Sequence, residues 1–381
     1  KKDLTALNSE EAPEILCQKI CGTKKPKHVV TASFGDRENP LENVFDEKDL
    51  TLFQNCCFGC QFDKYIIETS KWIFDKTLIK NHVLPTSVKG IHVKGNYGTE
   101  TNILDIMKVE VNDLLPIKKT AIVPRSIPEL QVVLQTQFFT KTCIPDHLRN
   151  DCQRYQITLT VNEENFEVVR VDEMEIEDFE DLLEKVESKI PFIGFIDNSS
   201  VVAVYKPEEE QYEILDEWNG LYGSDCFISF DEERPKFGDE AKDMLATKNT
   251  SVVFDLLKIM SMAPEDIKTE KTWGFSFTRD ITNPILVKFD NFDGKKKMST
   301  PSFLMALFLK QHLIIIKEET GEKPKEVALW IFKQDFDEVQ MKRIKDGLEE
   351  ACKLIKIDCS FVDSGDFEVN FIKTDSTKLT Y

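Results

Sequence analysis

Several features are missing from this sequence, and their absence excludes broad classes of protein. No apolar run approaches the roughly 20 residues that a membrane-spanning helix needs, and no signal-peptide pattern opens the sequence. The five histidines have no HExxH spacing, and neither GxSxG nor GxxxxGKS occurs. We therefore expect no membrane association, and we assign no catalytic residue, cofactor or metal ligand from these motifs.

Cysteine is present but follows no regular spacing. Ten cysteines in 381 residues fit free thiols better than a disulfide framework, and they predict a cytoplasmic or nuclear protein. Cys17, Cys21, Cys57 and Cys60 could supply four thiolates to a tetrahedral zinc ion. Alternatively, Cys17 and Cys21, four residues apart on a predicted helix, pack as small apolar side chains. Both interpretations stay open.

Negative charge dominates, and it is unevenly distributed. The formal net charge is −19, and nearly all of the excess lies after residue 155. Because phosphate binding needs clustered Lys and Arg, nucleic acid is an unfavourable partner for the second half. Protein partners with a basic or apolar face are favoured instead. In the first half Lys24, Lys25 and Lys27 form a basic group, which is either an RNA or nuclear-import patch or a solvated loop.

Apolar periodicity predicts the elements of the first half. Two amphipathic helices are expected, at residues 9–21 and 63–80. Apolar and β-branched residues predict strands at residues 90–93, 103–111 and 120–123. Ser126 and Pro128 are typical of a helix start, which predicts a third helix running toward Phe139.

Residues 156–190 form a pattern of their own. Alternating apolar and polar residues at 156–161 and 166–171 predict a hairpin. An acidic helix at 175–189 is expected to follow and to bury Phe179, Leu182, Leu183 and Val186. This unit either connects the two halves, belongs to the first domain, or opens a small β-grasp module.

The most informative segment joins a strand to a helix start. Residues 327–332 are almost all large and apolar without alternation, which predicts a central strand covered on both faces. FDEVQMKRIK follows at 336–345. Together they resemble the VTVPAYFNDSQRQATKDA segment of the seventy-kilodalton heat-shock chaperones. Lys333 stands at the family's proline and Met341 at its arginine, but the family letters are kept at Phe336, Gln340, Lys345 and Asp346.

Further segments match the same family in the same order. SSVVAVYKPEEEQYEILDEWNG at 199–220 resembles its first hairpin, and CFISFDEERPKFGDEAKDML at 226–245 its TPSxVAFxxxERLxGDxAK run. NTSVVFDLLKIM at 249–260 is similar to NTVFDAKRLIG, and STPSFLMALFLKQHL at 299–313 to the helix beginning TPEEISSMVL. VDSGDFEVNFI at 362–372 resembles a shortened FDLGGGTFDVSIL. The resemblance covers about residues 190–381.

The resemblance also shows what this chain lacks. The family cradles ATP phosphates between two glycine-rich loops, because residues without a β-carbon let backbone N–H groups approach phosphate closely. A gapless alignment places Gly194, Ile196, Asp197 and Asn198 on the first loop's aspartate, glycine and two threonines. Placing Asp197 on the aspartate instead requires a three-residue deletion. In either alignment the first phosphate loop is lost.

Three more positions point the same way. The second loop keeps a single glycine, Gly365, followed by Asp366, whose charge would repel a polyphosphate. Leu257 stands at the family's catalytic lysine, and Lys258 lies about 100° further around the helix. No NEPTAAA-like segment occurs between Ile357 and Val362. Together these losses predict a pseudo-ATPase rather than an enzyme.

The resemblance implies the fold class and the domain organisation. We expect an α/β protein in which residues 191–381 form a degenerate actin-like or ribonuclease-H-like lobe. A separate α+β domain of unknown type would occupy residues 1–155, with residues 156–190 as connector or part of that domain. A chain of 381 residues usually forms two or three domains.

The predicted function is a non-catalytic protein-interaction scaffold. Two docking surfaces are candidates, namely the groove left without nucleotide and the acidic helix, with Glu177, Glu180 and Glu184 on one face. One alternative is a divergent ATP-dependent chaperone or co-chaperone. The other is a zinc- or RNA-binding subunit that acts through the first half.

Overall fold

The computed structural model describes residues 15, 18–19, 29–32, 45, 47–53, 70–71, 73–75, 85–99, 101–136, 140–143, 151–177, 179–186, 188–332, 336–362 and 370–380. The thiols of Cys17, Cys21, Cys57 and Cys60, the basic group at Lys24, Lys25 and Lys27, and the loop around Gly365 lie outside these residues. The predicted helices 9–21 and 63–80 are described only in part. Ile15, Gln18 and Lys19 are helical, as are Ser70, Lys71, Ile73 and Phe74.

Strands make up most of the described chain before residue 178. They are β1 Val29–Ala32, β2 Leu50–Phe53, β3 Gly90–Asn96, β4 Ile103–Val109, β5 Ile117–Pro124, β6 Glu129–Gln135, β7 Thr140–Cys143, β8 Arg154–Val161 and β9 Glu167–Ile176.

Helices and strands alternate irregularly in the rest of the chain. The helices are α1 Phe179–Glu184, α2 Asp239–Lys242, α3 Leu245–Lys248, α4 Leu256–Ser261, α5 Pro301–Thr320 and α6 Glu338–Leu354. The strands are β10 Phe192–Ile196, β11 Ser199–Lys206, β12 Gln211–Ile214, β13 Ser224–Asp225, β14 Ile228–Ser229, β15 Lys236–Phe237, β16 Val252–Val253, β17 Ser276–Thr278, β18 Leu286–Asp290, β19 Lys296–Ser299, β20 Glu326–Ile331, β21 Asp358–Phe361 and β22 Phe371–Thr380.

These elements form a mixed α/β architecture with one central sheet. Its strand order is β12-β11-β10-β20-β21, with β13 added to β11. The pairs β12–β11 and β11–β10 are antiparallel, whereas β10–β20 and β20–β21 are parallel. Two four-stranded sheets have the orders β22-β9-β8-β5 and β4-β3-β6-β7. Smaller sheets join β1 to β2, β15-β14-β16 and β17-β18-β19.

Several predicted elements are confirmed. The strands expected at residues 90–93, 103–111 and 120–123 correspond to β3, β4 and β5. The hairpin expected at residues 156–171 corresponds to β8 and β9, which pair antiparallel across the turn. In the second half, the hairpin expected at 199–220 contains β11 and β12, and the segment that resembles the TPEEISSMVL helix forms α5.

The helix predicted from Ser126 and Pro128 toward Phe139 is wrong. The chain turns at Ser126 and then forms strand β6, which pairs with β3 and β7. Leu130, Val132 and Leu134 are all buried, so the apolar residues repeat every second position. This period belongs to a strand, and it overrides the Ser-x-Pro signal.

The acidic helix is much shorter than predicted. Residues up to Ile176 belong to β9, and α1 begins only at Phe179. The expected core residues of this helix are nevertheless buried. Glu177 lies in the turn before α1, so only Glu180 and Glu184 lie on the helix, where both are exposed.

Strand β20 is covered on both faces of the central sheet, as predicted. On one face Phe179, Leu182 and Leu183 of α1 pack in a cluster with Trp330 and Ala328. On the other face, Val327, Leu329 and Ile331 belong to the large core that also contains buried residues of α5 and α6. Trp330 and Phe332 are both buried. The run has no alternation because neither face of the strand meets water.

The main hydrophobic core crosses the predicted domain boundaries. It combines side chains of the first-half sheets, such as Val93 and Leu159, with Phe254 and Leu329 of the second half. The proposed division at residues 155 and 190 stays a prediction. Among the described helices, no segment combines the length and apolarity that crossing a membrane requires.

Local signals explain the two long helices. Thr300 accepts the N–H of Phe303 at 3.2 Å and Pro301 occupies the first turn, while α5 ends at Gly321 with a φ of 77°. Helix α6 begins with a capping box, because Asp337 and Gln340 each bond the other's backbone N–H. Such caps satisfy N–H groups that the helix itself cannot pair.

We expect Leu329→Asp to destabilise the protein by several kcal/mol, because the substitution removes buried apolar contacts and buries an unpaired charge. Leu329 is fully buried in the central strand. Leu354→Asp is the matched control, since that leucine is half exposed at the end of α6. Urea unfolding of both variants measures the difference. Equal, small losses would show that β20 is not a central buried strand.

Candidate functional site

The candidate site is the tight turn between β10 and β11, where the resemblance places the first phosphate loop. Ile196 pairs with Ser199, so only Asp197 and Asn198 form the turn. Asp197 has a φ of 51°, a left-handed conformation that aspartate tolerates better than most residues. No glycine opens this turn to a close approach of phosphate.

Arg154 covers the turn from the neighbouring sheet. Its Nε and Nη2 atoms donate to the two carboxylate oxygens of Asp197, at 2.8 Å and 2.5 Å. The guanidinium also lies over the rings of Phe332, at 4.4 Å from the centroid, and Phe371, at 5.4 Å. Arg154 is buried and comes from β8, so a first-half strand covers the turn that the resemblance aligns with the first phosphate loop.

A second layer of polar groups supports the turn from below. Asn198 accepts the backbone N–H of Asp255 at 2.8 Å, and Asp255 accepts the indole N–H of Trp273 at 2.8 Å. Burial raises the pKa of the Asp255 carboxyl, partly offset by the Trp273 bond. The Nδ2 atom of Asn198 has no hydrogen-bond partner among the described residues. The layer therefore offers carboxylate and amide groups rather than cations.

Carboxylates near the turn act on the Tyr97 hydroxyl. Burial raises the pKa of this hydroxyl, and so do the nearby charges of Asp255, Asp225 and Asp197. Tyr97 itself stacks on Phe254, with ring centroids 5.5 Å apart. A polyphosphate brought here would have to compete with Asp197 and Asp225 for the cations that these carboxylates hold.

The nearby cations are already paired with carboxylates. Arg125 Nε lies 3.1 Å from Asp225, and Lys242 Nζ lies 2.7 Å from the other oxygen of the same carboxylate. Arg125 also donates to the carbonyl of Gly223 at 2.5 Å. Lys242 is one of the residues kept from the family's GDxAK run, and here it neutralises a buried aspartate.

Helix α4 brings no lysine to the turn. Leu257, at the position of the family's catalytic lysine, is buried in the main core. Lys258 is exposed, lies 2.9 Å from Glu270, and has its ammonium 5.8 Å from the ring centroid of Trp273. Its charge is directed toward a surface carboxylate, so it does not replace the missing lysine.

A buried serine–histidine pair is the feature that sequence reasoning missed. Ser200 Oγ and His312 Nε2 are 2.8 Å apart, and His312 Nδ1 lies 3.2 Å from the carbonyl of Phe308. Because a carbonyl only accepts, Nδ1 carries the hydrogen and Ser200 donates to Nε2. Trp218 Nε1 in turn donates to Ser200 Oγ at 3.1 Å. The residues lie 112 positions apart, and no motif connects them.

This pair has the distance of a nucleophile and its base but not the access. Both residues are fully buried, and the rings of Trp218, Phe308 and Phe195 surround the imidazole. Burial lowers the pKa of His312 to about 3, far below the range of a useful general base near neutral pH. The pair is therefore a packed polar network of the core.

The described thiols and carboxylates supply no metal centre. Cys152, Cys226, Cys352 and Cys359 are free, and the described residues contain no group of three or more His, Cys, Asp or Glu side chains arranged to hold an ion. Cys359 forms a hydrogen bond with the Cys352 thiol, which lowers the pKa of Cys359.

Comparison with known proteins adds no assignment. No family model matches the chain. No curated protein matches it either. The chaperone resemblance therefore stays a prediction, carried by the segments described above.

We expect Asp225→Asn to cost about 3 to 5 kcal/mol of unfolding free energy, because it leaves Arg125 and Lys242 buried beside a neutral amide. Glu349→Gln is the control, since Glu349 and Lys353 form an exposed pair 3.7 Å apart, and such pairs contribute about 0 to 1 kcal/mol. Urea unfolding at pH 7 compares the two variants. Equal costs would mean that the Asp225 cluster does not hold the fold together.

His312 makes stability depend on pH. Its pKa is about 6.5 in the unfolded chain and about 3 in the folded protein, so the unfolded chain binds the extra proton between these values. The contribution of His312 to the free energy of unfolding is fully present above pH 6.5. Below that value it falls by roughly 1.4 kcal/mol for each pH unit. The advantage of the native protein over His312→Gln should therefore shrink between pH 7 and pH 4.5 in urea titrations. Parallel losses in both proteins would contradict the buried neutral imidazole.

Proposed function

We propose that the protein is a non-catalytic protein-interaction scaffold whose second half is an actin-like or ribonuclease-H-like lobe that has lost ATP chemistry. The observation that carries the proposal is the closed turn at Asp197 and Asn198, occupied by the guanidinium of Arg154. The phosphate position of an ATPase lobe would have to be open and rich in backbone N–H groups.

The element types support the lobe assignment. The segment matching the family's first hairpin contains the antiparallel pair β11–β12, and two of its helix segments correspond to α5 and α6. The strand that precedes α6 is central and buried. In the segments that contain these elements, the described residues thus have the secondary structure that the resemblance implies.

The positions of the side chains also support the proposed loss of catalytic groups. Leu257 is buried where the resemblance requires a lysine, and Lys258 pairs with Glu270. Arg125 and Lys242 are paired with the buried Asp225, and Arg154 is paired with the partly buried Asp197. A nucleotide would have to break at least one of these desolvated pairs, and each such break costs several kcal/mol.

A rigid lobe without chemistry still presents a large surface. The strong negative charge of the second half favours partners with a basic or apolar face and speeds their association electrostatically. Glu180 and Glu184, exposed on α1 above the central sheet, are one such acidic surface. Association through it should slow as salt rises, because screening shortens the range of the field.

We expect no ATP or ADP binding tighter than millimolar, which corresponds to roughly −4 kcal/mol. Isothermal calorimetry with magnesium and nucleotide measures this directly, and a thermal melt at millimolar ATP gives a second readout. Micromolar, magnesium-dependent binding would overturn the proposal and favour a divergent ATP-dependent chaperone.

A further inference from the structure

Helix α5 has a row of residues on the side of the helix that faces away from the central sheet. We define the α5 stripe as Phe303, Leu307, Lys310, Ile314 and Lys317. Their spacings alternate between four and three residues. At about 100° per residue all five lie within an arc of about 80°, along most of a helix of about 30 Å.

The stripe combines three apolar residues with two lysines, and all of these except Leu307, which packs partly against the main core, are exposed. Phe303 is 47% exposed and Ile314 is 48% exposed, while Leu307 is half-buried between them. The opposite face of α5 is packed into the main core through residues such as Leu304, Phe308 and His312. A helix with one buried face normally has a polar outer face, so α5 departs from that pattern.

The spacing of the stripe residues matches the packing of a second helix better than that of a strand or a loop. Single exposed apolar residues are ordinary on protein surfaces. A row repeating at alternating steps of four and three residues is instead the seam along which two helices pack in a coiled coil. The stripe therefore has the geometry to receive a second helix along its length.

The charges along the stripe narrow the choice of partner. Lys310 and Lys317 lie on one edge, and Gln311 and Glu318 lie on the other. Neither lysine is ion-paired within the described part of the chain, whereas Lys206 on the neighbouring strand is paired with Glu319. The two cations lie beside apolar side chains and are available to carboxylates of a partner.

A second copy of this chain is a poor occupant. In a parallel dimer the stripes would place Lys310 against Lys310 and Lys317 against Lys317. In an antiparallel dimer centred on the stripe, Lys310 again faces itself. Like charges held together in an apolar seam are destabilising, so self-pairing is disfavoured.

We propose that the α5 stripe is the docking surface for an amphipathic helix of a partner protein, with apolar residues opposite Phe303, Leu307 and Ile314 and with Asp or Glu opposite Lys310 and Lys317. This inference rests on the proposed scaffold function and names the partner's chemistry. The acidic residues of the partner helix set it apart from the basic partners which the overall charge favours.

Two synthetic peptides of about three heptads test the proposal. Both carry apolar residues at the positions opposite Phe303, Leu307 and Ile314. The positions opposite Lys310 and Lys317 and the flanking positions are all Glu in one peptide and all Lys in the other. Fluorescence anisotropy with the full chain should show the Glu peptide binding about tenfold tighter or more, with weaker binding as salt rises. The net charge of −19 predicts the opposite order, so a general charge effect cannot produce this result.

Variants then locate the binding. Ile314→Ser should weaken the Glu peptide about tenfold, while Ile281→Ser, at a fully exposed isoleucine in the loop after β17, should leave it unchanged. The double variant Lys310→Glu and Lys317→Glu should reverse the preference toward the Lys peptide. Since all four residues are exposed, melting temperatures should stay close to that of the native chain and so exclude misfolding as the cause.

Several outcomes would overturn the stripe as proposed. These are equal or tighter binding of the Lys peptide, no binding of either peptide, and equal effects of the Ile314 and Ile281 variants. Dimerisation in analytical ultracentrifugation that Ile314→Ser abolishes would assign the stripe to a second copy. Nucleotide calorimetry on the same preparation separates the two proposals. Micromolar ATP binding removes the scaffold function, whereas absent peptide binding without ATP binding removes the stripe alone.

Discussion

Two carboxylates of the second half, the buried Asp225 and the partly buried Asp197, are each paired with an arginine of the first half. Asp197 is held by Arg154 of β8, and Asp225 by Arg125 near the end of β5. A buried charge without a partner costs several kcal/mol, so neither half can adopt this arrangement alone. Lys242, a residue of the second half, also forms an ion pair with Asp225. The second cation on this carboxylate, Arg125, comes from the other sheet. The relative position of the two sheets follows from this requirement.

The same pairs decide what the central sheet can offer chemically. The guanidinium of Arg154 covers the turn after β10, and it cannot leave without depriving Asp197 of this cation. His312 is enclosed by aromatic rings and has a pKa of about 3, so it stays neutral near pH 7. The Ser200–His312 pair therefore acts as a polar contact within the core.

Sequence patterns predict these strands because their burial takes one of two simple forms. Either every second residue is buried, or almost the whole strand is buried on both faces. The buried run 327–332 and the hairpin of β8 and β9 are examples. Local signals fail where packing overrides them, as at Ser126 and Pro128, which precede strand β6 rather than a helix. The absence of a lysine at Leu257 and of glycine-rich phosphate loops is likewise predicted from the sequence, through a resemblance that stays a prediction.

The ion pairs at the candidate site cannot be predicted from local sequence patterns. Arg154 is 43 residues from Asp197, and Arg125 is 100 residues from Asp225. Among 117 formally charged Asp, Glu, Lys and Arg side chains, local sequence gives no rule that selects these partners. They are set by the packing of two sheets, which only the folded chain provides.

Strand β22 pairs with β9 along most of its length, although Lys373 and Asp172 are 201 residues apart. During translation β9 must therefore wait as an unpaired edge, with its buried Asp172 lacking one of its cations, until the ribosome has made residues 371–380. A long exposed strand edge is a template for pairing with the wrong chain. The closure of this sheet is thus among the least local steps of folding, and non-local strand pairing is slow because the loop between the strands has to be ordered first. Removal of β22 would leave the edge of β9 unpaired and take Lys373 away from Asp172.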